Sequence, residues 1–423
     1  MMGDLPTRAI RRVLVGRGQE FVFTRRDDVD VPPLTEIGLY IHIPFCRSKC
    51  PYCPYNRIDY DESLVVPYTQ AVLREIERYF TGGTKARITS VYIGGGTPTT
   101  LVDELAVIME AIREKCVIVG DVCIETNPAD LKEDMVRKLR GLGVDLISVG
   151  VQSFDDRFLQ SLGRSYDAAQ ARSAAAAALC ADFRSVNIDL MFALPGQSTA
   201  DVLDDLGEAL RMGASQITTY PLFTFPYSSV GRYLNVKRVR MPGLSRRRKM
   251  YRAIHEFLTE NGYQRVSVWG FRKGDSPRYS SVTRDTYIGI GAGAGSSLPA
   301  VFYLNTFSVK DYIEATLAGR PPVALAIDVG PALAKYYWLY WRLYDTYIDR
   351  QELAERFGRD VRLKLMLGLA RLLGLTEESG DRIELTERGA FYIHLLQNYF
   401  ILSYIDRVWS AAMTEAWPER IEI

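Results

Sequence analysis

Histidine and cysteine are both scarce in this chain of 423 residues. There are three histidines, His42, His255 and His394, and six cysteines. So few histidines exclude metal chemistry based on several imidazoles and leave little room for a triad centred on histidine. A secreted disulfide framework would have more cysteines in a shorter chain. If this protein performs redox or metal chemistry, the cysteines must therefore carry it.

Long apolar runs and an excess of one charge are missing too. No run approaches the roughly 20 apolar residues of a membrane span, and the N-terminus lacks the pattern of a signal peptide, so we expect a cytoplasmic protein. The 52 Lys and Arg residues balance 51 Asp and Glu residues, which argues against a general nucleic-acid binder. With 47% hydrophobic and 24% charged residues, the composition is that of a globular protein.

From about residue 36, short β-rich runs alternate with helical periods. Strands are predicted over 39–43, 88–93, 122–125, 144–149, 186–190 and 216–220. Helices are predicted between them, over 63–80, 102–113, 130–142, 166–181 and 199–212. Such alternation implies parallel strands joined by right-handed crossovers, and the carboxyl ends of these strands would build the site. The pattern suits an α/β fold, an incomplete (β/α)6 barrel.

After residue 220 the alternation loosens. We expect a turn region rich in Gly and Ala over 287–297, and the segment 373–389 resembles the hairpin of a winged-helix unit that acts as a packing lid. The predicted domains are an N-terminal extension (1–35), the partial barrel (36–230), a barrel-completing region (231–325) and a C-terminal helical, winged-helix-like domain (326–423).

Three of the cysteines lie within eight residues, in a loop after the first predicted strand. Cys46, Cys50 and Cys53 form a C-x3-C-x2-C motif whose thiolates can turn toward one point. Three thiolates suit an iron–sulfur cluster better than structural zinc, which takes four closed ligands. The alternatives are chance cysteines in a turn, or a zinc knuckle completed by His42. The remaining cysteines are expected to be small buried hydrophobic residues, namely Cys116, Cys123 and Cys180.

This motif, with Tyr52 before its third cysteine, resembles the radical S-adenosylmethionine (SAM) superfamily. Five further stretches narrow the resemblance: Tyr-Ile-His-Ile-Pro-Phe-Cys (40–46), Gly-Gly-Gly-Thr-Pro (94–98), Gly-Val-Gln-Ser-Phe (150–154), Leu-Gly-Arg (162–164) and Asp-Leu-Met-Phe-Ala-Leu-Pro-Gly-Gln (189–197). As an ordered set over about residues 38–320, they are similar to the oxygen-independent coproporphyrinogen III oxidase family. That family includes true oxidases, heme chaperones, and methylases and cyclopropane-forming enzymes of the same architecture.

The resemblance implies roles for the matching residues. The three motif cysteines would ligate a [4Fe–4S] cluster, whose open iron the amino and carboxylate groups of SAM would chelate. Glu125 would accept a hydrogen bond from the SAM amino group, and the guanidinium fork of Arg164 would pair with its carboxylate. Gln152 and Asp189 would bind the ribose hydroxyls. The other residues implied in SAM binding are Tyr52, Gly94, Gly95, Gly96 and Thr97.

Three aromatic residues complete the implied site. Tyr40 matches a catalytic tyrosine near the cluster, while Tyr220 and Phe223 would frame the adenosine. The implied reaction takes an electron from a flavodoxin- or ferredoxin-type reductase, cleaves SAM and forms a 5′-deoxyadenosyl radical. This radical abstracts hydrogen from a small-molecule substrate, which in the oxidases is a tetrapyrrole propionate.

Two departures from the family pattern leave the reaction open. Tyr55 stands where the oxidases have a fourth cysteine, and Tyr166 stands where the chaperones have a histidine. Three hypotheses follow: an oxidase-like enzyme acting on a tetrapyrrole, a methylase or cyclopropane-forming enzyme that uses two SAM molecules, and a heme chaperone. Because the whole set implied in SAM cleavage is present, we expect catalysis rather than heme carriage.

Overall fold

A computed structural model describes residues 21–82, 85–222, 241–280 and 286–423. The elements of the first half are β1 (Val22–Thr24), β2 (Glu36–Ile43), β3 (Phe45–Cys46), β4 (Ile58–Asp59), α1 (Glu62–Tyr79), β5 (Ala86–Gly95), α2 (Val102–Lys115), β6 (Cys116–Ile118), β7 (Val122–Thr126), α3 (Glu133–Gly141), β8 (Leu146–Gln152), α4 (Asp156–Ser161), α5 (Ala168–Leu179), β9 (Ser185–Phe192), α6 (Thr199–Met212) and β10 (Gln216–Pro221).

The second half contains shorter strands and the helices that follow α6 in the chain. Its elements are α7 (Leu244–Glu260), β11 (Tyr263–Arg265), β12 (Gly270–Lys273), β13 (Tyr287–Ile290), β14 (Gly295–Leu298), β15 (Val301–Asn305), α8 (Val309–Leu317), β16 (Val323–Asp328), α9 (Pro331–Tyr344), β17 (Tyr347–Asp349), α10 (Arg350–Phe357), α11 (Val361–Leu372), β18 (Thr376–Ser379), β19 (Arg382–Leu385), α12 (Glu387–Tyr404), α13 (Ser410–Thr414) and β20 (Arg420–Glu422).

Six parallel strands form the centre of the main sheet, in the sequence order β2, β5, β7, β8, β9, β10. A helix precedes each strand after the first, as the alternation predicts, and the chain adopts the incomplete (β/α)6 barrel fold. Every residue of β8 is buried. Such continuous burial is typical of parallel strands covered on both faces, and explains their unbroken apolar runs.

Local signals in the sequence set the helix ends. Asp167 and Gln170 form a reciprocal capping box at the start of α5, and Ser198 and Asp201 do the same at the start of α6. Helix α6 ends at Gly213, whose left-handed backbone (φ 85°) terminates the helix without strain. The helix predicted over 199–212 is therefore found at those residues.

The turn predicted over 287–297 is found only at residues 291–294, because the residues on either side form the strands β13 and β14. Strand β13 pairs in parallel with β2 and so adds a seventh parallel strand to the sheet. A Cβ added at Gly289 would lie 2.1 Å from the carbonyl oxygen of Gly295, so only glycine allows these two strands to approach so closely. Gly289 and Gly295 therefore mark close backbone packing, whereas Gly291 and Gly293 have positive φ and form the turn.

Both ends of the described chain join the same sheet. Strand β1 pairs with β16 and with β20, so the sheet crosses the predicted boundaries at residues 35 and 325. The predicted wing is a hairpin of β18 and β19, with β17 as a third strand. Cys180 is exposed at the end of α5, so its predicted burial is wrong, whereas Cys116 and Cys123 are buried. No helix in the described ranges has the length and apolarity to cross a membrane.

Candidate active site

The carboxyl ends of the parallel strands open into a cavity of about 710 Å³, within the size range of small-molecule sites. Of the predicted site residues that the structure describes, all but Tyr40 and Gly94 line it. We call the residues predicted to bind the cluster or SAM, where they line it, the polar wall: Cys46, Cys50, Tyr52, Cys53, Gly95, Gly96, Thr97, Glu125, Gln152, Arg164 and Asp189.

The cysteine loop is held by its own backbone and by one arginine. The amide of Cys53 donates to the carbonyl of Cys50 over 3.2 Å, and the Arg57 guanidinium donates to the carbonyls of both cysteines. Burial raises the pKa of the Cys46 thiol to about 11 and also raises that of Cys53. Buried thiols of this kind become thiolates when they bind a metal, whose positive charge compensates for the lost solvation.

The donor set suits an iron–sulfur cluster and not the zinc knuckle with His42. Both ring nitrogens of His42 are already used, Nδ1 by the Tyr40 hydroxyl at 2.8 Å and Nε2 by the Asn56 carbonyl at 3.0 Å. In the described part of the chain, no three His, Cys, Asp or Glu side chains are arranged around a position for a single metal ion. A [4Fe–4S] cluster takes its thiolates on separate irons, so the thiolates need not meet at one ion.

The glycine motif makes room for the groups around it. A Cβ at Gly94 would lie 2.8 Å from the Tyr92 ring and 3.1 Å from the Glu125 carboxylate. One at Gly96 would lie 2.9 Å from Cys46 Sγ. The missing side chains therefore let the strand end pass directly beside the cysteine loop and Glu125, which is the close approach for which glycine is suited.

Glu125 projects from β7 and is tied to two buried tyrosines. The Tyr92 hydroxyl donates to its carboxylate, and the hydroxyls of Tyr92 and Tyr279 lie 2.8 Å apart. Burial raises the pKa of Glu125 to about 7, opposed by the hydrogen bond from Tyr92 and reinforced by the charge of Asp189. Glu125 therefore titrates near neutral pH, and its ionised form is suited to accept from an ammonium group.

Asp189 and Gln152 lie on neighbouring strands, Asp189 within β9 and Gln152 at the end of β8. Ser148 and Asn187 donate to the two carboxylate oxygens of Asp189 over 2.9 and 2.8 Å, and burial raises the pKa of Asp189 to about 6. Gln152 has a left-handed backbone (φ 70°), which is uncommon outside glycine, and its side chain accepts from the Tyr220 hydroxyl over 2.5 Å. These contacts hold two polar side chains at the cavity surface.

Arg164 lies between two tyrosine rings, with its guanidinium carbon 5.5 Å from the Tyr52 ring and 5.4 Å from that of Tyr166. Its Nη1 lies 3.1 Å from Cys50 Sγ and its Nη2 donates to the Gly150 carbonyl over 3.3 Å, while its buried Nε has no hydrogen-bond partner within the described ranges. The guanidinium thus adjoins the cysteine loop and keeps donor capacity for an anion. Tyr166 is buried and donates to backbone carbonyls, so it braces the end of β8.

Tyr40 and Gly94 lie behind the polar wall. The Tyr40 ring stacks on that of Tyr92 at 5.9 Å between ring centroids, and its hydroxyl is bonded to His42. In this position Tyr40 supports Glu125 through Tyr92 rather than facing the cavity. Tyr220 lines the cavity, whereas Phe223 is outside the described residues.

Sequence reasoning missed a second group of residues that line the same cavity. We call this group the aromatic wall: Trp269, Tyr340, Trp341, Tyr344, Phe391, His394 and Trp409. His394 is buried, its ring centroid is 4.7 Å from that of Trp269, and burial lowers its pKa to about 4, so the imidazole is neutral. The density of aromatic residues over 336–344 was the available signal, but it does not reveal which residues face a cavity.

Comparisons with known proteins agree with this geometry. The model of the radical SAM superfamily matches residues 40–209. The heme chaperone HemW of Escherichia coli (strain K12) is 31% identical over 281 residues, which cover 63% of this chain and 70% of HemW. The anaerobilin synthase of Escherichia coli O157:H7 is 26% identical over 363 residues, 84% of this chain and 81% of the synthase.

The solved structure of coproporphyrinogen III oxidase (HemN) from Escherichia coli, a radical SAM enzyme, has a similar fold. The TM-score is 0.73 at 21% sequence identity, and the match covers 89% of this chain and 91% of the oxidase. At this level of identity the similarity establishes the fold and leaves the reaction open.

Proposed function

Because this chain belongs to the radical SAM superfamily, in the family related to oxygen-independent coproporphyrinogen III oxidase, we propose that it cleaves SAM reductively and acts on a tetrapyrrole. Members of the superfamily bind a [4Fe–4S] cluster and SAM. The observation that carries the proposal is that two groups of residues line one cavity: the polar wall contains the predicted cofactor residues, and the aromatic wall adds seven aromatic side chains.

In this proposal, each polar residue binds or orients. Cys46, Cys50 and Cys53 hold the cluster, while Glu125 and Arg164 bind the two charged ends of the amino acid part of SAM. When bound, the cluster supplies an electron to SAM, whose cleavage yields methionine and a 5′-deoxyadenosyl radical able to abstract hydrogen. An external reductase of the flavodoxin or ferredoxin type provides that electron.

The remaining polar residues fix the nucleoside. Gln152 and Asp189 are already oriented by hydrogen bonds from Tyr220, Ser148 and Asn187, so they meet the ribose hydroxyls with little reorganisation. The aromatic wall excludes water from the space beyond, which limits quenching of a reactive radical. Tyr40 acts as a positioning residue, since it supports Tyr92 and does not reach the cavity.

Heme carriage is the second candidate. Its support is His394, a neutral imidazole that lines the cavity among aromatic rings, together with the similarity to heme chaperones. A carrier would bind heme stoichiometrically and release it unchanged, whereas an enzyme would consume SAM.

One experiment separates the candidates. Anaerobically reconstituted protein is reduced with dithionite and incubated with SAM, with and without coproporphyrinogen III or heme. We expect 5′-deoxyadenosine, with a yield that rises when a true substrate is present. Tight heme binding without any SAM turnover would instead support the carrier. S-adenosylhomocysteine formed beside 5′-deoxyadenosine would indicate an alkylating reaction that uses two SAM molecules.

A further inference from the structure

Three consecutive arginines near the start of α7 have three different surroundings. Arg246 donates to the Gln197 carbonyl over 2.7 Å, and Arg248 forms two hydrogen bonds to the Glu387 carboxylate. Arg247 lines the same cavity as Trp269 and Phe391 of the aromatic wall. Its Nε donates to the Pro242 carbonyl over 3.0 Å. In the described part of the chain, neither Nη atom of Arg247 has a hydrogen-bond or salt-bridge partner.

The other cavity arginines have identifiable partners. Arg57 holds the cysteine loop, Arg278 pairs with Asp345 over 2.5 Å, and the Arg47 guanidinium stacks on the Tyr60 ring at 4.4 Å. Arg164 lies on the polar wall beside Cys50. Among the cavity arginines described here, Arg247 is thus the one whose terminal nitrogens face neither protein acceptor nor aromatic ring.

Burial without a counter-ion is costly for a cation. The pKa of Arg247 is lowered, and desolvation is the whole cause, since no carboxylate offsets it. A half-buried guanidinium of this kind is stabilised when a ligand brings an anion to it, and its planar fork matches a carboxylate in two hydrogen bonds. The rings of the aromatic wall do not attract an anion, but they offer a large surface on which a flat apolar group can pack.

We propose that Arg247 anchors a carboxylate at the edge of the substrate while the flat apolar body of that substrate lies against the aromatic wall. This inference rests on the proposed function, because it assigns the substrate end of the same cavity. It specifies the ligand more narrowly than the cavity shape does: a planar macrocycle must carry an ionised acid group on the side facing α7. An esterified or fully apolar macrocycle of equal size lacks the group that Arg247 binds.

The test compares a free acid with its ester. Anaerobically reconstituted full-length protein is titrated with coproporphyrin III or with its tetramethyl ester in the same detergent buffer, and binding is followed by the porphyrin absorption band. We expect the wild-type protein to prefer the free acid by at least about tenfold. In Arg247→Ala the affinity for the free acid should fall about ten- to a hundredfold, while that for the ester stays unchanged.

Two further variants make the result specific. Arg247→Lys keeps the charge but loses the fork, so its affinity for the free acid should lie between those of wild type and Arg247→Ala. Arg246→Ala removes a neighbouring arginine that does not line the cavity, and it should bind both porphyrins like wild type. Circular dichroism of each variant checks the fold.

Three outcomes would contradict the proposal that Arg247 anchors a substrate carboxylate. They are equal loss of acid and ester binding in Arg247→Ala, unchanged acid binding in that variant, or a wild-type protein that does not bind the free acid. Reductive SAM cleavage by the wild-type protein is measured separately. Its absence would contradict the proposed function, and the acid-over-ester comparison would still decide the role of Arg247.

Discussion

The two walls of the cavity are built in different ways. Most residues of the polar wall lie near the carboxyl end of a parallel strand or in the loop after it, whereas Arg164 follows helix α4. Most of them belong to a short sequence motif, and most are fixed by hydrogen bonds. The aromatic wall is assembled from segments as far apart as Trp269 and Trp409, which come together only in the folded chain. The polar wall is thus encoded by local motifs along the chain, whereas the aromatic wall forms only after the second half of the chain packs onto the barrel.

The cysteine loop should give the largest effect, because all the chemistry proposed for both walls depends on it. Cys50→Ala removes one of three cluster ligands, so the protein should fail to retain about four irons after anaerobic reconstitution and should lose reductive SAM cleavage. Iron analysis and 5′-deoxyadenosine formation measure this. The matched control is Cys180→Ala, which removes an exposed thiol outside the motif. Normal SAM cleavage by Cys50→Ala would contradict the ligand assignment.

Substitutions of Arg164 test whether the polar wall binds the SAM carboxylate through the two hydrogen bonds of a guanidinium group. Arg164→Lys keeps the charge but loses bidentate pairing, and we expect SAM binding to weaken by about 1–3 kcal/mol, roughly ten- to a hundredfold. Equilibrium dialysis with labelled SAM measures the affinity. Arg172→Lys is the control, since Arg172 forms an ion pair with Glu208 on the surface. If Arg164→Ala bound SAM like wild type, Arg164 would not belong to the site.

The contrast between the walls also explains what the sequence could predict. The alternation of strands and helices is a local pattern, so the six parallel strands and the positions of Glu125 and Asp189 at their ends were predictable. Strand β13 was not predictable, because Gly289 in a glycine-rich segment is typical of a turn, and the close approach that requires this glycine is to Gly295 on a neighbouring strand. Tyr279 was equally hidden, since its contact with Tyr92 joins residues far apart in the chain.

Trp341 tests the aromatic wall alone. Its indole lines the cavity, so a flat ligand can pack against the ring, and among the residues that the structure describes its Nε1 has no hydrogen-bond partner that such a ligand would displace. Trp341→Ala should weaken coproporphyrin III binding about tenfold, equivalent to ~1.4 kcal/mol, and leave SAM affinity unchanged. Trp417→Ala is the control, because Trp417 donates to Asp311 and does not line the cavity. A comparable loss of SAM binding in Trp341→Ala would mean that the two walls do not act separately.

The smallest effect should come from Tyr92, one layer behind the polar wall. Glu125 must be ionised to accept from the SAM ammonium, so SAM affinity should fall as the pH drops through the Glu125 pKa of about 7. The hydrogen bond from Tyr92 favours the carboxylate, and its loss in Tyr92→Phe raises that pKa. The midpoint of SAM binding should therefore move to higher pH, with affinity near neutral pH reduced about fivefold, or ~1 kcal/mol.

Other groups around Glu125 must be separated from this effect. Asp189 has a pKa of about 6 and faces the same cavity, Tyr279 and Tyr40 stay neutral because burial raises their pKa values, and the SAM amino group titrates too. Asp189 and the SAM amino group therefore contribute to the wild-type pH profile, so only the difference between Tyr92→Phe and wild type reports on Glu125. The control is Tyr79→Phe, which removes a hydroxyl that accepts a hydrogen bond from Tyr303 away from the site. This variant should leave the pH profile of SAM binding unchanged. A Tyr92→Phe protein with weaker SAM binding but the wild-type midpoint would make Tyr92 a packing residue, and Glu125 would then not be the group that binds the ammonium through its charge.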